Sequence, residues 1–142
     1  MRIPEEFKKY ILREFDFVIE RIQKEEDPRK KLYYFSATYA SLERLMRYSL
    51  DSELLLTHAV LNLCYNSLKN RVESITRGDI VIEMPEGFDK KIVEYLAELR
   101  DEIENDKNTY ETLGKFVHLA YQTSGAGYYT RNFLEASENK SE

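Results

Sequence analysis

Three acidic residues near position 100 have the types and the spacing to bind a divalent cation. Glu94, Glu98 and Asp101 follow one another at intervals of four and three residues, so on a helix their carboxylates lie about one turn apart. Carboxylate oxygens are the ligands that Mg²⁺ and Ca²⁺ prefer. The pattern predicts a metal site if another helix or a second subunit completes it. The alternative is a solvated face, because the apolar residues of this segment fall on the opposite side of the helix.

The second interval also matches a family motif. Glu98 and Asp101 form a Glu-x-x-Asp pair, which resembles the pair found in the all-α nucleoside triphosphate pyrophosphatases. That family has a second element, Glu-Glu-x-x-Glu, and in this chain Lys9 and Arg29 stand where its last glutamate is expected. The resemblance implies a metal-dependent enzyme that acts on a nucleotide, which is one alternative function.

A row of polar side chains follows the border of another predicted helix face. His58, Asn62, Asn66 and Lys69 recur at intervals of four, four and three residues, so they share one side of a helix. Imidazole, amide and ammonium groups offer the hydrogen bonds that a polar ligand needs. The row predicts a pocket for a nucleotide-like small molecule. The alternative is a boundary histidine beside solvent-facing amides, since the sequence offers His58 no partner for acid–base chemistry.

The segment 28–50 combines basic and aromatic residues. It has five basic residues against one acidic residue, a net charge of +4, and it contains Tyr33, Arg44 and Arg47. Such a surface can neutralise and stack on RNA or DNA. A whole-chain charge of −5 argues against nucleic acid. The segment 79–106 has ten acidic and three basic residues, a net charge of −7, so we expect the two segments to attract each other within or between subunits.

Composition limits the class of protein further. A chain of 142 residues with 42% hydrophobic residues can bury a single core, so its stability requires no cofactor and we predict none. The lone Cys64 cannot form an internal disulfide, and no leader or membrane-spanning run is recognisable, so we predict a cytoplasmic protein. Abundant glutamate and lysine with only two glutamines are typical of thermophilic proteins.

The positions of these residues are set by helices. Apolar residues recur every three or four positions in five segments, and the predicted helices run from about 4 to 26, from Pro28, from about 52 to Gly78, from about 89 to 104, and from a capping box at Asn108. The first inward stripe comprises Phe7, Ile11, Phe15, Val18 and Ile22, and the last comprises Leu113, Phe116, Val117, Ala120 and Tyr121.

The second predicted helix has two apolar stripes, which indicates neighbours on two of its sides. One stripe contains Leu32 and Phe35, and the other runs through Tyr34, Ala37, Ser41, Leu45 and Tyr48. Between the third and fourth helices, residues 79–86 have no helical period and predict an extended segment.

Together these patterns predict an all-α, antiparallel up-and-down bundle of four or five helices, with one domain over 1–135 and a flexible tail over 136–142. The predicted function is a non-catalytic module for self-assembly or protein interaction, with a homodimer as the favoured state. A metal-dependent enzyme or nucleotide binder and a nucleic-acid regulator are the alternatives. No membrane partner is expected.

Overall fold

The computed structural model describes residues 1–78 and 84–123. Within them the chain is all-α and contains no strand. None of the described helices has the length and apolar character needed to cross a bilayer. Most of the extended segment predicted near 79–86, and the tail predicted over 136–142, lie outside the described residues. The described helices are α1 (Glu5–Lys24), α2 (Pro28–Met46), α3 (Ser52–Arg77), α4 (Phe88–Glu104) and α5 (Tyr110–Thr123).

Local chemistry explains where these helices begin and end. The Asp27 side chain accepts a hydrogen bond from the Arg29 amide at 2.9 Å, and Asp51 does the same for the Leu54 amide, so both carboxylates cap helix N-termini. Gly78 ends α3 in the left-handed conformation, with φ of 73°, as predicted.

The predicted start of α5 is displaced by one residue. The first helical hydrogen bond of α5 runs from the Leu113 amide to the Thr109 carbonyl, at 2.9 Å. Thr109 therefore holds the capping position that the sequence assigned to Asn108. The Glu53 carboxylate of α3 accepts a hydrogen bond from the Thr109 amide at 2.7 Å. A local capping motif does not predict this contact, because the two residues are far apart in the sequence.

The five helices pack in a closed ring in the order α1, α2, α3, α5, α4. Their directions alternate along the chain, because Phe7 near the start of α1 lies against Tyr48 after the end of α2, and Lys8 near the start of α1 binds Asp106 after the end of α4. An odd number of alternating helices in a ring must leave one neighbouring pair parallel. That pair is α3 and α5, whose N-terminal ends meet at Thr109 and whose C-terminal ends meet at Thr123.

Apolar side chains from all five helices fill the centre of the ring. Phe35 of α2 and Phe116 of α5 stack there at 6.1 Å between ring centroids, and both are fully buried. The predicted stripes are correct for most of their members, including Ile11, Phe15, Val18, Ile22, Leu113, Phe116 and Ala120.

Two aromatic residues that the sequence placed inward lie outside the core. Phe7 is 36% exposed and Tyr121 is 67% exposed. Residues four apart turn by about 40° on a helix, so Phe7 falls on the edge of the stripe that Phe15 centres. Lys8 occupies the buried position instead, and its ammonium reaches Asp106 at 2.9 Å. Tyr121 is rotated by about 100° from its buried neighbour Ala120.

Candidate functional site

Five aromatic side chains form a face on the outside of the α1–α2 hairpin. We call this the aromatic face. Tyr10 and Tyr48 expose 65% and 78% of their surface, and Phe7 and Phe17 are also exposed. Scattered apolar residues are normal on a protein surface, but a contiguous patch marks an interaction site. The aromatic face comprises Phe7, Tyr10, Phe17, Tyr34 and Tyr48.

Contacts between the two helices hold the aromatic face together. Phe7 stacks on Tyr48 at 6.1 Å between ring centroids, with 11° between the ring planes. Phe17 meets Tyr34 edge to face at 6.3 Å. The two pairs are ten residues apart on α1, which is about 15 Å along the helix. The aromatic face is therefore long enough to contact two or more turns of another helix.

A groove of about 380 Å³ lies beside Phe7 and Tyr48 between α1 and α2. Its lining includes the buried side chains of Ile11, Ser41 and Leu45, so a group that enters the groove can come close to the α1 and α2 backbones. Arg13, Glu14 and Arg44 supply charges of both signs around it. The groove is bordered by Phe7, Tyr10, Ile11, Ser41, Leu45 and Tyr48, besides those charges.

The second apolar stripe of α2 supplies the α2 residues of the aromatic face and of the groove beside it. Tyr34, Ser41 and Tyr48 belong to it, and α2 packs against both α1 and α3, as its two stripes predicted. The contribution of α1 was missed, because Phe7 was assigned to the core. A detectable signal exists, since Phe7, Tyr10 and Phe17 recur at intervals of three and seven residues, the spacing of a helix contact stripe.

A second concavity lies between the N-terminal half of α2 and the C-terminal half of α3. We call it the α2–α3 cleft, and its volume is about 580 Å³. The cleft brings together Lys69 and Tyr33, which the sequence proposed for two different roles. Its lining residues are Arg29, Leu32, Tyr33, Tyr65, Lys69, Val72, Glu73 and Arg77.

The rest of the predicted polar row lies outside this cleft. The Asn66 side-chain Nδ2 donates to the Asn62 side-chain Oδ1 at 2.9 Å on the surface of α3. His58 packs edge to face on Tyr39, and its Nε2 atom is buried with no hydrogen-bond partner within the described part of the chain. Its nearest carboxylate oxygen belongs to Glu43, at 3.9 Å. The four residues of the predicted row therefore share a side of α3 but do not converge on one ligand pocket. They are His58, Asn62, Asn66 and Lys69.

The acidic residues of α4 are directed to separate partners. Glu98 accepts hydrogen bonds from the Lys115 ammonium at 2.8 and 2.9 Å, and this contact raises the pKa of Lys115. Asp101 lies 3.4 Å from Arg100, while Glu94 borders a shallow pocket with Gln23. Within residues 1–78 and 84–123, no three His, Cys, Asp or Glu side chains are grouped closely enough to hold a metal ion.

The remaining sequence candidates divide between surface and core. Arg44 and Arg47 are exposed at the C-terminal end of α2 and form no ion pair with other described residues. Cys64 is fully buried, and burial raises the pKa of its thiol to about 12. A thiol in that state is a packing group and not a nucleophile.

Comparison of the chain with protein-family models, with curated protein sequences and with solved structures finds no match. The functional conclusion therefore depends on the geometry of the two surfaces on α2.

Proposed function

We propose that the protein is a non-catalytic self-assembly module that forms a homodimer through the aromatic face of α1 and α2. The observation that carries the proposal is that Phe7, Tyr10, Phe17 and Tyr48 are all exposed on the α1–α2 hairpin, where Phe7 stacks on Tyr48 beside Tyr10. Tyrosine and phenylalanine are enriched where proteins bind each other, because they bury large areas at low conformational cost. Two such hairpins pack as a four-helix interface.

The charges on α1 favour a second copy of this chain as the partner. In a twofold-symmetric dimer both copies use the same patch. If residue i of the first copy contacts residue j of the second, then residue j of the first copy contacts residue i of the second. An axis between positions 13 and 14, with two antiparallel α1 helices, pairs Arg13 with Glu14 of the second copy. The same register places Tyr10 against the second copy's Phe17.

The same register also pairs opposite charges near the two ends of α1. In this register Glu6 meets Arg21 of the second copy, and Arg21 already lies over the Phe17 ring at 5.2 Å. Each of these contacts occurs twice in a symmetric pair. Charge complementarity selects the antiparallel register, because a parallel alignment would bring residues of like charge together.

Charge reversal tests the register. Sedimentation equilibrium of the full chain should detect a dimer. Arg13→Glu or Glu14→Arg should weaken it at least tenfold, since like charges then meet twice across the axis. The double variant Arg13→Glu with Glu14→Arg should recover dimerisation, because it restores opposite charges in the same register. Tyr10→Glu should abolish the dimer both in the wild-type chain and in the Arg13→Glu, Glu14→Arg double variant.

The matched control is Lys107→Glu, a reversal at an exposed position between α4 and α5, which should leave the dimer intact. Circular dichroism and thermal melting should show that every variant retains its helices. A wild-type chain that stays monomeric at its highest soluble concentration contradicts the proposal. Dimerisation that is unaffected by all these variants contradicts the assignment of the aromatic face.

A further inference from the structure

The α2–α3 cleft has an electrostatic character that differs from that of the whole chain. Arg29 and Lys69 line it, and the described lining contains one carboxylate, Glu73, in a protein of net charge −5. Arg29 and Lys69 form no ion pair with any other described residue. Their charges are therefore available to an anion, whereas Lys8, Lys31, Arg100 and Lys115 are engaged by carboxylates of this chain.

Aromatic rings stand beside these cations. Tyr65 is half-buried and fixed by its neighbours, with ring centroids 5.4 Å from Tyr39 and 6.4 Å from Phe35. Tyr33 is 72% exposed at the mouth of the cleft and contacts only the edge of Tyr34 among the ring contacts of the described residues. A fixed ring below and an exposed ring at the rim form a stacking surface for a flat ligand.

Apolar and acceptor groups complete the lining. Leu32 is buried on the floor beside Val72, and Glu73 offers carboxylate oxygens that accept hydrogen bonds from hydroxyl groups. A volume of about 580 Å³ lies within the range of small-molecule sites. The cleft thus combines cations for a phosphate, rings for a planar base and an acceptor for a sugar.

We infer that the α2–α3 cleft binds a nucleoside phosphate. The Arg29 and Lys69 side chains neutralise the phosphate groups, the Tyr33 ring stacks on the base, and Glu73 accepts hydrogen bonds from the sugar hydroxyls. The inference needs no metal and no chemical step. It does not depend on the proposed dimer, because Arg29, Lys69 and Glu73 lie outside the aromatic face, although Tyr33 contacts the edge of Tyr34, which belongs to that face.

Isothermal titration calorimetry of the full chain with ADP, adenosine and inorganic phosphate, without added metal, tests the inference. ADP should bind at least tenfold more tightly than either fragment, since only ADP reaches both the cations and the rings. Its affinity should fall as salt is added, because the phosphate contacts are partly exposed.

Single substitutions separate the two halves of the ligand. Lys69→Ala or Arg29→Ala should weaken ADP binding about tenfold, the loss expected for one charge-assisted hydrogen bond, and should leave adenosine binding unchanged. Tyr33→Ala should weaken ADP and adenosine and leave phosphate binding unchanged. All three positions line an open cleft, and thermal melting should confirm that the variants fold.

Lys30→Ala is the matched control, because Lys30 is an exposed neighbour of Arg29 that does not line the cleft. It should bind ADP as the wild type does. The inference is overturned if ADP fails to bind, or if Lys30→Ala weakens binding as much as Lys69→Ala. Binding of single-stranded RNA without binding of ADP would also overturn it in favour of a nucleic-acid surface.

Discussion

Glu53 and Arg71 on α3 bind the two ends of α5. The Glu53 carboxylate accepts hydrogen bonds from the Thr109 amide at 2.7 Å and from the Thr109 hydroxyl at 3.0 Å. The Arg71 guanidinium donates through Nε and Nη2 to the Thr123 carbonyl, with the Nε bond at 3.1 Å. An anion thus lies at the N-terminus of α5 and a cation at its C-terminus.

The parallel packing of α3 and α5 explains why both contacts are needed. Parallel helices place their macrodipoles side by side with like ends adjacent, which is unfavourable. The hydrogen bonds that Glu53 and Arg71 form with the two ends of α5 offset that repulsion, and the Met1 ammonium also pairs with Glu53. The ring of five helices requires one parallel pair, and Glu53 and Arg71 stabilise that pair.

Replacing Glu53 with glutamine should destabilise the fold by about 1–3 kcal/mol at neutral pH, the range for hydrogen bonds to a charged group, since this carboxylate is partly buried. Burial alone would raise the pKa of Glu53, but hydrogen bonds from the Met1 amine and from Thr109 outweigh it and lower the pKa below its ordinary value of 4.5. Urea denaturation of wild type and Glu53→Gln measures the difference.

The lowered pKa also sets the pH dependence of this difference. A carboxylate whose pKa is lower in the folded state stabilises the fold above its unfolded pKa and loses that contribution as pH falls through the folded value. The gap between wild type and Glu53→Gln should therefore shrink on going to about pH 3. Glu26→Gln, at an exposed position, should show no gap at either pH. An equal gap at both pH values would contradict the assigned charge.

The stacked pair at the centre of the bundle gives a second prediction. Phe116→Ala should cost about 3–5 kcal/mol, because it opens a cavity against Phe35 where the two rings are fully buried. Tyr110→Ala on the same helix removes a ring that is 58% exposed and should change stability by less than about 0.5 kcal/mol. Thermal unfolding of both variants measures the contrast, and similar losses would contradict this core.

Periodicity alone predicts the helices of this chain because each helix has apolar residues that recur every three or four positions and face the core. The stripe through Ile11, Phe15 and Val18 is correct for that reason. The errors at Phe7 and Tyr121 arise at stripe edges, where a rotation of about 40° to 100° decides between core and solvent. The order of helices in the ring depends on contacts between distant residues, such as Glu53 with Thr109, which no local pattern records.

The candidate surfaces were harder to predict than the core. The sequence proposed Tyr33 and Lys69 separately, and only the packing of α2 on α3 brings them to one cleft. It proposed Glu98 as a metal ligand, yet Lys115 from α5 occupies that carboxylate. A helical wheel shows which residues share a side, but a pocket is formed by two helices whose relative position the wheel does not contain.

Two glycines give a final prediction with opposite signs. Gly78 ends α3 with φ of 73°, and among the described residues a methyl group there meets nothing within 4 Å besides its chain neighbours, so Gly78→Ala should cost the left-handed backbone penalty of about 1–2 kcal/mol. Gly114 lies inside α5, where a methyl group also has no neighbour within 4 Å in the described part of the chain beyond the local helix backbone. Gly114→Ala should therefore stabilise the fold by about 0.5–1 kcal/mol, because alanine has the higher helix propensity. Chemical denaturation measures both, and a destabilised Gly114→Ala variant would contradict the exposed position of Gly114 on α5.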